Sequence, residues 1–173
     1  MTRPPARLLA APAVPGLFVL AGCGGGFDYS KLENDIGAKL DATYADTPAK
    51  VSAVDCQEID DPMPDDTFTC LADVGADEKV RVKVTVTQIN DYKVDYETVD
   101  VVFDLDDTVK DLERDVSDYA GFPVAVDCGG GIAVVAVGDA FTCTATHEAE
   151  GESADLVVTA EDAEGDVSWE VID

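Results

Sequence analysis

The chain has 173 residues, 46% of them apolar and 28% charged, which is enough to build a packed core and excludes wholesale disorder. Acidic residues number 37 against 11 basic ones, a formal charge of -26. A surface of that sign repels phosphate backbones and anionic headgroups, so nucleic acid is excluded as a partner and contact with a bilayer has to come through an anchor. The plain reading of the charge is a solvated acidic surface, and the sharper one is specific cation binding.

The first element is a leader. Arg3 and Arg7 make a short positive region, and an apolar stretch runs from Leu8 to Ala21. That is too short for a comfortable membrane-spanning helix and suits the apolar region of a signal peptide, although Pro12 and Pro15 weaken it as a helix. The stretch ends in Leu20-Ala21-Gly22-Cys23, which resembles the bacterial lipobox. In that motif the cysteine thiol receives diacylglycerol and a peptidase cuts before it, after which the new amino group can be acylated. The resemblance implies a signal peptide over 1–22, a lipid on Cys23, and a partner in the membrane itself. Twin arginines are absent, which points to general secretion. Residues 23–29 then hold the lipidated cysteine and a flexible tether built on Gly24-Gly25-Gly26. Removal of Arg3 and Arg7 takes the charge from -26 to about -28.

After the tether, Ser30-x-x-Glu33 has the form of a capping box, and Leu32, Ile36, Leu40 and Tyr44 recur every four residues. The spacing predicts a helix ended by Pro48. From there the period changes to two. Phe68, Cys70 and Ala72 alternate with polar neighbours, as do Val80, Val82, Val84 and Val86. Val94 and Tyr96 continue the pattern into Val99, Val101 and Phe103, with Asn90-Asp91 as a turn. Thr108-x-x-Asp111 opens a second helical run with Leu112, Val116 and Tyr119 on one face, ended near Gly121-Phe122-Pro123. Alternation returns at Phe141, Cys143 and Ala145, and again at Val167, Trp169 and Val171, with Glu164-Gly165-Asp166 as a turn.

The two halves repeat one another. Val54-Asp55-Cys56 reappears as Val126-Asp127-Cys128, and Asp66-Thr67-Phe68-Thr69-Cys70 as Asp139-Ala140-Phe141-Thr142-Cys143. Val94-Asp95-Tyr96-Glu97 matches Val167-Ser168-Trp169-Glu170. The offset stays at 72 or 73 residues, which marks a duplication with units over 30–103 and 104–173. The expected fold class is α+β: two tandem repeats, each one helix on a small antiparallel sheet of about four strands.

Five cysteines are distributed so that Cys23 stands alone and Cys56, Cys70, Cys128 and Cys143 remain to pair. Zinc is the other use of four cysteines, but no C-x-x-C spacing occurs and His147 is the single histidine. An exported chain meets an oxidising compartment, so disulfides are preferred. Arithmetic alone leaves cross-unit pairing open. The repeated spacing argues for the local bonds, Cys56 to Cys70 and Cys128 to Cys143.

A helix, V-D-C, a gap, F-T-C, valine-rich strands and a terminal V-x-W (Val167-Ser168-Trp169) together resemble the DUF4333 domain of actinobacterial lipoproteins and membrane proteins, in two tandem copies. Gln57 and Gly129 follow the first cysteines where the family commonly has proline, and Tyr96 stands where the second copy has Trp169. The family carries no established activity, so the resemblance implies fold and location and no mechanism.

Chemistry is sparse. His147 sits among Glu148 and Glu150 with no serine motif, which reads as an exposed loop histidine. Gly129-Gly130-Gly131 opens no helix and reads as a hairpin loop rather than a phosphate cradle. Two acidic clusters, Glu58-Asp60-Asp61-Asp65-Asp66 and Asp104-Asp106-Asp107, have the density calcium favours. The second lacks the glycine and terminal glutamate of an EF-hand loop and suits a helix N-terminus, and the first has no acidic counterpart in the other unit. No catalytic residue, metal site or cofactor is expected. The reading is a noncatalytic cell-envelope lipoprotein, on the extracytoplasmic side of the cell membrane, that binds an envelope protein or ligand or serves a structural role. A calcium-binding module is the alternative, and an enzyme a distant third.

Overall fold

A computed structural model describes residues 6–7, 16–19, 27–88 and 93–172. The chain divides into two compact units, one within Ala13–Asp100 and one within Val101–Asp173, the latter also taking in residues from the start of the chain. The elements in chain order are β1 (Ala6–Arg7), β2 (Gly16–Val19), α1 (Tyr29–Thr43), β3 (Ala53–Cys56), β4 (Thr67–Gly75), β5 (Glu78–Gln88) and β6 (Lys93–Thr98). They continue with β7 (Asp100–Asp104), α2 (Leu105–Ala120), β8 (Val124–Asp127), β9 (Ile132–Ala136), β10 (Ala140–His147), β11 (Ser153–Ala160) and β12 (Asp166–Ile172).

In the first unit α1 forms because Leu32, Ile36 and Leu40 make one apolar stripe, and all three are buried, with Tyr44 closing the end. The cap is Asp28, whose carboxylate accepts the Lys31 N–H at 3.0 Å. The capping box expected on Ser30 is not formed. Ser30 lies inside the first turn, and Glu33 instead reaches across to accept the Cys56 N–H at 3.0 Å. The helix packs on four antiparallel strands in the order β6-β5-β4-β3, with β2 added beside β6. Val80, Val82, Val84 and Val86 are fully buried along β5, and Phe68, Cys70, Ala72 and Val74 along β4. Each valine withdrawn from water in this way contributes roughly 1.5–2 kcal/mol. The Asn90-Asp91 turn lies outside the described residues.

The second unit repeats the plan. Asp104 caps α2, accepting N–H groups of Asp106 and Asp107, so Thr108 is a buried residue of the helix interior rather than its start. Asp106 and Asp107 sit in the first turn, where the helix dipole favours negative charge. Gly121 ends the helix in the left-handed conformation at φ 79°, a cap that suits a residue with no Cβ. The sheet runs β12-β11-β10-β8, with β1 added beside β12. Its core gathers Phe103, Leu112, Val116, Leu156, Val158 and Trp169. As Glu33 does for Cys56, Glu113 accepts the Val126 N–H at 3.1 Å, and the Ser117 hydroxyl accepts that of Val124 at 2.9 Å. Helix side chains thus satisfy edge-strand donors that no neighbouring strand reaches.

Two expectations need correction here. Val99 does not continue the buried face. β6 ends at Thr98, the chain bends, and Val99 is 40% exposed while Asp100 is buried. Tyr119 and Val171 keep the faces expected of them, Tyr119 against Trp169 and both beside Val116, but at the margin of the core, 47% and 45% exposed. Gly129–Gly131 is not a hairpin loop, because β8 pairs with β10 whereas β9 pairs with β7. The β9 strand has no counterpart in the first unit, where a loop spans the same interval between the cysteines. The Glu164-Gly165-Asp166 turn forms on the Asp162 carboxylate, which accepts N–H groups of Glu164 and Asp166 at 3.0 Å each.

Candidate functional site

The four cysteines are placed by strand register. Cys56 lies directly opposite Cys70 in the β3–β4 ladder, and the Gln57 N–H donates to Thr69 O beside them, so the cysteines occupy a non-hydrogen-bonded pair. Such pairs bring Cα atoms closest, here 3.9 Å apart, and the two sulfurs are bonded. In the second unit Asp127 opposes Thr144, and the next pair along the ladder is Cys128 and Cys143, bonded with Cα atoms 4.2 Å apart. Each bond therefore joins the edge strand that faces the helix to its neighbour in the sheet. Two disulfides indicate an oxidising, extracytoplasmic compartment. Cys23, Gly24-Gly25-Gly26 and most of the expected leader lie outside the described residues. Within the apolar stretch, Gly16–Val19 runs as a strand antiparallel to β6. No helix among the described residues is long and apolar enough to cross a membrane.

One carboxylate in each acidic cluster, Asp66 and Asp104, accepts backbone N–H groups. Asp61 and Asp65 hold positive φ values of 47° and 71°, a conformation aspartate tolerates better than most side chains. Asp66 accepts the Met63 N–H at 2.8 Å, and the Asp65 N–H donates to Val86 O. The Tyr29 hydroxyl pins the same loop by accepting the Ile59 N–H at 2.8 Å and donating to Ile59 O at 3.1 Å. Among the described residues no three His, Cys, Asp or Glu side chains converge as a metal cage.

The buried carboxylate of Asp100 was not visible as a site in the sequence. It accepts the Arg81 backbone N–H at 2.7 Å and takes the Arg81 guanidinium through Nε at 3.0 and 3.1 Å, with a further contact from Nη2. Tyr44 is pushed up from 10.0 to about 12, first by burial and then by the negative charge of Asp100. Tyr96 is raised to about 12 as well, by burial and by Asp35. The consequence for stability has a definite sign. Between pH 10 and pH 12 the unfolded tyrosine has lost its proton while the folded one keeps it, so the native state binds more protons and stability falls as pH rises. Below pH 10 there is no effect. Tyr44 alone accounts for a loss on the order of 2 kcal/mol across that window, and urea melts of Tyr44→Phe should show a shallower alkaline decline than wild type.

His147 is not a loop residue. It ends β10, its side chain is 20% exposed, and its Nδ1 accepts the Glu150 N–H at 3.1 Å. Its ring meets Phe122 edge-on at 4.2 Å. Both line a groove of about 420 Å³ between the end of α2 and the β10–β11 hairpin, with Tyr119, Val124, Glu152 and Val171 in its walls. Tyr119 in turn stands edge-on against Trp169 at 5.5 Å. A second groove of about 550 Å³ runs along α1 and β3 in the first unit, is more polar, and is lined by Glu33, Asn34, Asp41 and Ser52 among others. No signal in the sequence marked either groove, because each is made where a helix meets strands of its sheet.

The first unit has a disulfide between its first two sheet strands after a capped helix, and it is this unit that finds a family. Residues 13–91 match DUF4333, a domain of unknown function. The DUF4333 match covers most of the apolar stretch, Cys23, α1 and the strands through β5, and it includes the Cys56–Cys70 bond. The matched pattern shows one copy; the second unit is similar to it in element order and disulfide position. No curated protein and no solved structure matches the chain.

Proposed function

We propose that this is a noncatalytic cell-envelope lipoprotein, exported by a cleavable signal peptide, held at the outer face of the cytoplasmic membrane by a lipid on Cys23, and acting through binding or structure. The observation that carries the reading is the cysteine distribution. Four of the five are used in one disulfide per unit, and the fifth follows Leu20-Ala21-Gly22 at the end of an apolar stretch. The DUF4333 match begins at residue 13, inside that stretch, so Cys23 falls within the matched pattern. On this reading the second unit is a diverged DUF4333 copy, and the protein presents two variants of one stapled module. Cleavage before Cys23 removes β1 and β2 and leaves four strands in each main sheet. The acidic surface supports the role of the lipid, since electrostatic adhesion to anionic headgroups is unavailable to it.

Fractionation of cells tests the anchor. Wild type is expected in the membrane fraction, with diacylglycerol on its N-terminal cysteine by mass spectrometry. Cys23→Ala is expected to leave that fraction or to accumulate uncleaved. A Cys23→Ala chain cleaved normally and still held at the membrane sinks the proposal.

A further inference from the structure

We infer that the groove at the end of α2 is a docking site for a basic polypeptide segment of a partner protein, one that inserts an aliphatic or aromatic side chain between Tyr119 and Phe122. The inference deepens the binding role proposed above and rests on it.

The groove is built rather than incidental. Gly121 in its left-handed conformation donates its N–H to Ser117 O at 2.8 Å and fixes the chain reversal between the two aromatic residues. Phe122 is thereby directed onto the His147 ring and Tyr119 onto Trp169. Both remain open to solvent, at 44% and 47%, with Val171 beside them at 45%. At the duplicated offset of 72 residues Tyr119 and Phe122 stand where the first unit has Thr47 and Lys50, so the second unit places two large rings where the first has polar side chains. These adjacent apolar side chains stand in water at a cost that a partner would relieve.

Charge selects the partner. From Asp115 to Asp173 the sequence has 14 Asp and Glu and no Lys or Arg. The two basic residues of α2, Lys110 and Arg114, lie earlier in the helix and are engaged by Asp107, Asp111 and Asp115. Glu152 lines the groove, and Glu150 sits 3.7 Å from His147 at its edge. An apolar anchor flanked by Lys or Arg satisfies both features, with the rim charges steering approach and the aromatic walls taking the anchor. Acidic or anionic partners are repelled by the same rim.

The test uses the full chain with both disulfides formed and a synthetic probe, the acetylated and amidated peptide Lys-Lys-Leu-Phe-Leu-Lys-Lys. Trp169 is the single tryptophan, so its emission reports on Tyr119 directly. Saturable change in Trp169 emission is expected, weakened at least tenfold by Phe122→Ser and severalfold by Glu152→Gln, and weakened by added salt. Circular dichroism of each variant should match wild type, since the side chains changed are solvent-facing. Two control peptides carry the discrimination: Glu in place of every Lys should abolish binding, and Ala in place of Leu and Phe should weaken it at least tenfold. Equal binding of the Ala peptide would mean charge alone and overturn the site, as would equal binding of the Glu peptide, unchanged binding by Phe122→Ser, or no saturable signal. Any of those results leaves the Cys23 fractionation test standing, so failure of the groove is distinguishable from failure of the anchor.

Discussion

A Cys56→Ala/Cys70→Ala chain is expected to lose about 3 kcal/mol of stability in its first unit, the loop entropy that a bond closing a span of this length removes from the unfolded state. The spacing of 14 residues sets that figure, and the strand ladder adds to its consequence. β3 has only four residues and a single strand neighbour, so without the bond it is held by one short ladder and by the Glu33 carboxylate. A domain of this size has little stability in reserve, and 3 kcal/mol corresponds to a fall in Tm of roughly 12–24 °C. Thermal melts of the double variant against wild type measure it. The corresponding Cys128→Ala/Cys143→Ala chain should lose a similar amount, with a separation of 15. Under mild reductant the second bond should open first, because Cys128 is partly exposed whereas Cys56 and Cys70 are both buried. A melt unchanged by the first double variant would mean that the sheet holds β3 without the staple.

Asp100→Ala is expected to cost about 3 kcal/mol, a large effect for one side chain at the end of a strand. The carboxylate is buried and serves two donors of one residue, the Arg81 N–H and its guanidinium. The guanidinium can turn to water, since the Arg81 side chain is 50% exposed, so its loss is the smaller part. The backbone N–H in β5 is fixed by the strand and cannot turn away, so loss of its acceptor in this part-buried bond is the larger part. Asp100→Asn should recover part of the loss, because an amide oxygen can still accept that N–H. Tyr44 provides an independent reading. Asp100 is the lesser of the two causes raising it, so ultraviolet titration of Asp100→Ala should find the Tyr44 transition lowered from about 12 but still above 10. A transition that does not move would show that the charge is not felt at the phenol.

Much of the architecture is legible in the chain because it depends on local periodicity. Leu32, Ile36, Leu40 and Tyr44 at intervals of four, and four valines at intervals of two from Val80, each specify an element and its buried face. Cysteine pairing was also readable, since near-equal spacings of 14 and 15 residues in a duplicated sequence make the local bonds the economical solution. Helix starts were less so. Ser30 and Thr108 offer the capping-box pattern, yet aspartates two and four residues earlier do the capping. Each helix begins at its aspartate, Asp104 in an extended conformation and Asp28 in a nonhelical one; Glu33 is taken by a strand 23 residues away.

What the sequence determined alone, then, is the pair of α+β units, their apolar faces, and the two local cysteine pairs. Tertiary structure decided which polar groups those faces would spare. Asp100 is inside and Val99 outside because the chain must bend between β6 and β7, and the Arg81 donors make the carboxylate the better residue to bury. His147 became part of a groove because Phe122, held by the Gly121 turn, closes on it from 25 residues away in the chain. Periodicity records what each residue prefers relative to its neighbours along the backbone. It carries no record of which distant donor, ring or strand edge will meet that residue once the sheet has formed.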